Sequence, residues 1–195
     1  MIGIIDYGAG NIRSVLNALE RLNAPCFVSR VPSELDRAAK LIFPGVGEAR
    51  SAMQSLHDVG LIEYLRQTEK PFLGICLGMQ LLFDHSTERS TDCLAVLHGT
   101  ITRFNDAAVK VPHVGWNAVQ LTPGIPLCAG LRPQEYFYFV HSYFAPLSQA
   151  TVGTCQHGVA FAAVVQSKNF YGVQFHPEKS GSAGQTLLKN FIERC

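Results

Sequence analysis

The sequence predicts an α/β protein: a single-domain fold with a largely parallel central sheet flanked by helices and additional antiparallel strands in its second half. Three observations predict it. The first half alternates short apolar runs with stretches of helical spacing, the second half changes to β-rich runs, and no repeat or low-complexity linker divides the 195 residues. A chain of that length can bury one good core and is short for two, so residues 1–195 are read as one domain.

Taken in order, residues 2–5 form a short apolar strand. From Asn11 to Leu22 the apolar residues Ile12, Val15, Leu16, Leu19 and Leu22 recur at helical spacing, with Arg13, Asn17, Glu20 and Arg21 between them. Residues 26–29 read as a second strand, and Pro32-Ser33-Glu34 opens a short helix, proline being tolerated in a first turn. Residues 40–43 run apolar before Pro44-Gly45-Val46-Gly47. Helical pattern resumes at Glu48 and breaks near Gly60. A strand over 71–76 and a helix over 77–84 complete a βα alternation, which favours parallel pairing. Residues 86–93 are polar and read as a mobile loop. Beyond residue 100 the runs 116–121, 136–140, 152–155, 161–165 and 170–175 read as strands with hairpin pairings. Ser180 then precedes a closing helix with Leu187, Leu188, Phe191 and Ile192 on its apolar face and Lys189 and Arg194 toward its C-terminus.

Bulk properties exclude several function classes. Sixteen Lys plus Arg against fifteen Asp plus Glu give a formal charge of +1 with no long basic run, which argues against nucleic acid or membrane as the principal partner. No apolar stretch approaches the roughly 20 residues of a membrane span, and the N-terminus lacks the features of a signal peptide, so a cytoplasmic protein is expected. Six cysteines without a C-x-x-C pair suggest reduced thiols. None of the seven histidines falls in an H-x-x-x-H or H-E-x-x-H pattern, so no metal is expected.

The chemistry concentrates in two segments. Gly74-Ile-Cys76-Leu-Gly78 follows an apolar strand in the order of a nucleophile elbow, a sharp turn that lifts a reactive side chain onto a helix N-terminus. That position favours thiolate over thiol. One hundred positions later, Phe175-His176-Pro177-Glu178 offers a base and its orienter, because an extended stretch projects residues i and i+2 to one side. A lone cysteine or histidine would be read as core; the elbow context makes Cys76, His176 and Glu178 a hydrolytic triad in which the carboxylate fixes the imidazole tautomer.

Three further segments bear on function. Gly45, Val46 and Gly47 sit where a strand runs out, either as an oxyanion loop or as an ordinary strand-to-helix turn. In the first reading the Val46 amide joins that of Leu77 in stabilising the developing alkoxide. Gly8-Ala9-Gly10 partly matches a dinucleotide fingerprint, but Arg13 stands where its third glycine belongs and no acidic residue follows the second strand, so no cofactor is expected. In Tyr136-Phe137-Tyr138-Phe139, strand alternation puts the two tyrosines on one face and the two phenylalanines on the other, which suits an interface as well as a core.

GICLGMQ with a downstream QFHPE resembles the class I glutamine amidotransferases over almost the full chain, and the family's triad maps onto Cys76, His176 and Glu178. Within that class, DYGAGNIRSV, PGVG, PHVGWN, YFYFVHSY and GVQFHPEKSG resemble one branch, the glutaminase subunits of imidazole glycerol phosphate synthase in histidine biosynthesis. The resemblance implies glutamine hydrolysis through a Cys76 thioester, with Gln80 and the backbone around Ser142 and Tyr143 binding the substrate. It implies transfer of the ammonia to a (β/α)8 cyclase subunit docked against Asn11, Trp116, Tyr136, Tyr138 and Lys179. Residues 86–99 depart from the family pattern, with Ala95 where a glycine is expected. Two alternatives compete: a glutaminase serving pyridoxal phosphate, aminodeoxychorismate or guanylate synthesis, against which YFYFVHSY and PHVGWN speak, and a catalytically silent docking subunit, against which the intact triad speaks.

Overall fold

The computed structural model describes residues 1–8 and 11–195, so Ala9 and Gly10 of the glycine-rich segment lie outside the described residues. In chain order the elements are β1 (Ile2–Ile5), α1 (Ile12–Arg21), β2 (Cys26–Ser29), α2 (Pro32–Leu35), β3 (Lys40–Gly45), α3 (Ala49–Asp58), α4 (Ile62–Gln67), β4 (Phe72–Cys76), α5 (Leu77–Gln80) and β5 (Phe83–Ser86). There follow β6 (Thr91–Asp92), β7 (Leu97–Arg103), β8 (His113–Leu121), β9 (Gln134–His141), β10 (Tyr143–Phe144), β11 (Thr151–His157), β12 (Val159–Ser167), β13 (Phe170–Val173) and α6 (Gly181–Arg194).

Among the described residues, nine strands join in the order β2-β1-β3-β4-β13-β12-β11-β8-β9. β2, β1, β3, β4 and β13 pair parallel, as the helical crossovers of the first half require. From β13 outward the pairings with β12, β11, β8 and β9 are antiparallel. A small second sheet, β10-β7-β5-β6, covers one flank. Strand alternation divides the core between the two faces of the large sheet: Ile4, Ile42, Leu73 and Ile75 pack with Val15, Leu19, Leu187 and Phe191, whereas Ile5, Leu41, Phe43 and Phe72 pack with Ala52, Leu56 and Leu65.

The helix expected over 77–84 stops at Gln80. The carbonyls of Leu81, Leu82 and Phe83 accept the N–H groups of Leu94, of Val96 and Leu97, and of Ala95, which ties this stretch to a neighbouring segment. Because Leu81, Leu82 and Phe83 are all buried, this stretch has no polar face to give to solvent and enters the second sheet as β5. The expected loop over 86–93 is accordingly a hairpin in which Ser86 pairs with Thr91 and His85 with Asp92. Ala95 adopts φ +54°, a left-handed conformation in which glycine avoids a penalty of about 1–2 kcal/mol.

Candidate active site

The parallel strands β3, β4 and β13 lie side by side and deliver Val46, Cys76 and His176 at or just beyond their carboxyl ends, where open α/β sheets place their sites. Cys76 closes β4 with φ +53° and ψ −109°, a conformation rare outside glycine. The turn is possible because three backbones touch without side chains between them. A Cβ on Gly78 would lie 2.0 Å from the Phe43 carbonyl oxygen, and one on Gly45 would lie 2.2 Å from the Gly78 nitrogen. On Gly74 it would come within 2.6 Å of the Gly78 oxygen. This corrects the expectation that Gly45 belongs to the loop or turn after the strand: it is the last residue of β3, paired opposite Cys76, and serves close packing. Gly47, by contrast, has φ +101° and open space around its Cα.

A cavity of about 370 Å³ opens over the elbow. Val46, Gly47, Cys76, Leu77 and Gln80 form one wall, and Val140, His141, Ser142, Tyr143 and His176 the other. His176 Nδ1 lies 2.8 Å from Glu178 Oε1, with both side chains almost fully buried. The pairing is made differently from the extended geometry expected. His176 is extended, but Pro177–Lys179 is a 3-10 turn, and the turn carries the carboxylate back to the ring. Burial pushes His176 down, yet contact with Cys76 and then Glu178 outweighs it and holds the imidazole well above its ordinary range. Its Nε2 is buried and has no hydrogen-bond partner among the described residues. Cys76 Sγ is 3.9 Å from the Val140 carbonyl oxygen and 3.7 Å from Gln174 Nε2.

The triad loop is tied to β9. The His176 N–H donates to the Tyr138 carbonyl at 2.9 Å, while Ser180 Oγ accepts the Tyr138 N–H at 3.0 Å and donates to the His176 carbonyl at 2.6 Å. Ser180 therefore precedes α6 without capping it. On the outer face of β8 and β9, Trp116 pairs in register with Tyr138, their rings 6.3 Å apart. Trp116 and Tyr136 are more than half exposed, whereas Phe137 and Phe139 are fully buried, as the alternation predicts. Lys179 is exposed in the triad turn, and Asn11 precedes α1, which packs beside that turn.

Sequence reasoning missed several residues of the site. Glu88, in the segment taken for a loop, lines the cavity, and its Oε2 accepts the Ala49 N–H at 2.8 Å. Arg89 binds Glu48 at 2.8 Å, so the hairpin clasps the exit of the Gly47 loop. The Tyr7 hydroxyl is buried without a hydrogen-bond partner among the described residues; burial pushes it above the usual phenol range, and the nearby Val46 backbone N–H acts in the opposite sense. His141 and Gln174 stand within segments singled out for other reasons, and Val114 and Val140 extend the exposed face of Trp116.

With this geometry in place, similarity to known proteins is informative. The family model "Glutamine amidotransferase class-I" matches residues 3–195. The chain is 45% identical over 196 aligned residues to the imidazole glycerol phosphate synthase subunit HisH of Vibrio cholerae, with 97% of each chain covered. It is 47% identical over 193 residues to the subunit of that name in Xanthomonas campestris pv. campestris, covering 98% of this chain and 96% of the other. A solved structure described as a glutamine amidotransferase superposes with a TM-score of 0.76 at 20% identity, over 98% of this chain and 97% of that one, a likeness of fold.

Proposed function

The chain belongs to the class I glutamine amidotransferases and is the glutaminase subunit of an imidazole glycerol phosphate synthase; from that premise we propose how its residues divide the work. Cys76 Sγ attacks the carboxamide carbon of glutamine as His176 Nε2 takes the thiol proton, and His176 returns that proton to the leaving nitrogen as the C–N bond breaks. Ammonia departs and a glutamyl thioester remains. Water, giving a proton to His176, then attacks the thioester carbon, and glutamate leaves as the proton returns to sulfur. Glu178 holds the ring in the tautomer this requires and steadies its cationic form. The observation that carries the reading is the buried 2.8 Å bond from His176 to Glu178 in a cavity shared with Cys76.

Leu77 N–H and Val46 N–H are the proposed oxyanion donors, and Gln80, Ser142 and Tyr143 bind the amino-acid end of the substrate. Gly47, with φ +101° and open space where a Cβ would stand, is the proposed pivot on which the Val46 donor turns toward or away from the oxyanion. Asn11, Trp116, Tyr136, Tyr138 and Lys179 would meet a (β/α)8 cyclase subunit that receives the ammonia and makes imidazole glycerol phosphate and an aminoimidazole carboxamide ribotide. That heterodimer, a cytoplasmic location and one domain over residues 1–195 belong to the same proposal. Among the described residues no helix is long and apolar enough to cross a membrane.

The decisive experiment is Cys76→Ala in the assembled complex. Glutamine-dependent turnover should vanish, while added ammonium salt at high pH should still support cyclisation. Retained glutamine hydrolysis would overturn the assignment of the nucleophile.

A further inference from the structure

One chain of side chains, buried except for the half-buried Asn117 at its outer end, has hydrogen-bond directions set by the backbone there. Asn117 Oδ1 accepts the Ala118 N–H at 2.8 Å, and Asn117 Nδ2 donates to the Gln156 carbonyl at 3.0 Å, which settles which end of the amide is nitrogen. The same Nδ2 lies 3.1 Å from His113 Nε2, which must accept. His113 Nδ1–H then donates across 2.9 Å to His141 Nε2, and His141 Nδ1–H donates across 2.7 Å to the Tyr143 carbonyl.

That carbonyl can only accept, and its second donor is Gln80 Nε2 at 2.8 Å. Gln80 Nε2 also donates to Gln174 Oε1 at 3.0 Å. Gln174 is fully buried and has its oxygen engaged, so it turns its Nε2 toward Cys76 Sγ. A reversed Gln174 amide would set N–H against N–H at Gln80 and leave a carbonyl oxygen facing the sulfur.

We propose that Gln174 is a catalytic residue of the glutaminase, its amide N–H favouring the attacking sulfur anion of Cys76, and that His141 and His113 are positioning residues which hold the Tyr143 carbonyl from which this orientation is propagated. The inference rests on the triad reading above. The thiol proton still passes to His176, and no proton leaves Gln174. The Val140 carbonyl, 3.9 Å from the sulfur, opposes negative charge there, which makes a donor near the same atom consequential. Both histidines must be neutral for the chain to exist, since a proton on His141 Nε2 would face the N–H of His113. Burial supports this by lowering both from their ordinary range.

The test is the rate of iodoacetamide alkylation at Cys76 in the free subunit at pH 7, read by mass spectrometry of the Cys76 peptide so that the other cysteines do not contribute. Gln174→Leu, close in size and without a donor, should slow alkylation about tenfold, as loss of one hydrogen bond to a charged atom requires. Gln174→Glu keeps an oxygen for Gln80 but removes the donor and should slow it at least as much. His113→Leu should give a smaller loss of about threefold. His113→Asn, whose Nδ2 replaces the donating ring nitrogen, should restore the rate. Unchanged alkylation in either Gln174 variant would overturn the role of Gln174, and equal rates in His113→Leu and His113→Asn would overturn the positioning role. Because alkylation needs neither glutamine nor a partner, a chain that failed to hydrolyse glutamine would refute the glutaminase mechanism and leave this result standing.

Discussion

The two walls of the cavity are built by opposite means. The Cys76 wall, made by β3, β4 and α5, depends on atoms that are missing: Gly45, Gly74 and Gly78 let three backbones approach to distances that any Cβ would forbid. The opposite wall, made by β9 and the turn after β13, depends on hydrogen bonds, through Tyr138 to His176, Ser180 to both, and His113 through His141 to Tyr143. The comparison teaches where each wall can give. A steric wall has one arrangement and fails as a whole, whereas a polar wall loses its bonds singly and can be tuned by protonation or by a partner.

The sharpest way to break this contrast is Gly78→Ala. Its Cβ would lie 2.0 Å from a backbone oxygen of β3, which cannot move without unpairing the sheet, so a loss of about 4 kcal/mol or more is expected. Gly47→Ala is the control on the same wall. Nothing lies within 4 Å of its Cβ, so only the strain of φ +101° is added, roughly 1–3 kcal/mol. Thermal melts should show Gly78→Ala largely unfolded and Gly47→Ala folded. In the complex, Gly47→Ala should lower ligand-stimulated glutaminase activity more than basal activity if Gly47 is the pivot proposed for the Val46 amide. Equal melting temperatures for the two variants would dissolve the distinction between a packed glycine and a free one.

The steric wall was the legible one. Strand, glycine, cysteine and glycine in sequence specify an elbow because each small residue answers a local clash, and the helices and parallel strands around it follow from apolar period. Gly45 looks like a loop residue in sequence, yet its contact with Gly78 is what matters, and that contact exists only once β3 lies beside β4. The polar wall was legible at His176 and Glu178, two residues apart, but not at His113, His141 and Gln174. Their partners come from strands distant in sequence, so no spacing announces them. The helix expected past Gln80 stops short for a related reason: partners at 94–97, invisible to periodicity, pair with this stretch and draw it into the second sheet.

Protonation should weaken the polar wall selectively. Burial, reinforced by His157, lowers His113 to about 4; burial also lowers His141 to about 3, with the Tyr143 carbonyl acting against the shift and His113, His157 and His176 adding to it. In the unfolded chain both titrate near the ordinary value of about 6.5, so the unfolded state binds protons first and stability falls as pH drops from 6.5 toward 4. At pH 5 each group would contribute a loss of up to about 2 kcal/mol. His176 does not offset this. Its folded value is raised, so its contribution is already complete below 6.5 and is lost only as pH rises through the folded value. Urea denaturation at pH 7 and pH 5 measures the difference, and His113→Asn should roughly halve it. Stability independent of pH over that interval would show that the two rings are not held neutral.

The smallest expected effect separates the inner and outer faces of the polar wall. Tyr138 contributes to the interior only through its backbone, which binds His176 and Ser180, while its ring stands half-exposed against Trp116. Truncation to alanine leaves both backbone bonds possible and removes a ring from the face proposed to meet the cyclase. Tyr138→Ala should therefore preserve the melting temperature within a few degrees while weakening assembly on the order of 2 kcal/mol, roughly thirtyfold in Kd, as expected for an aromatic anchor. Calorimetric titration with the cyclase, alongside a melt of the free subunit, reads both quantities. Unchanged affinity would remove this face from the docking surface. Collapse of the fold would mean that the ring supports the His176 turn directly, and that the polar wall is no more separable into independent contacts than the glycine wall it faces.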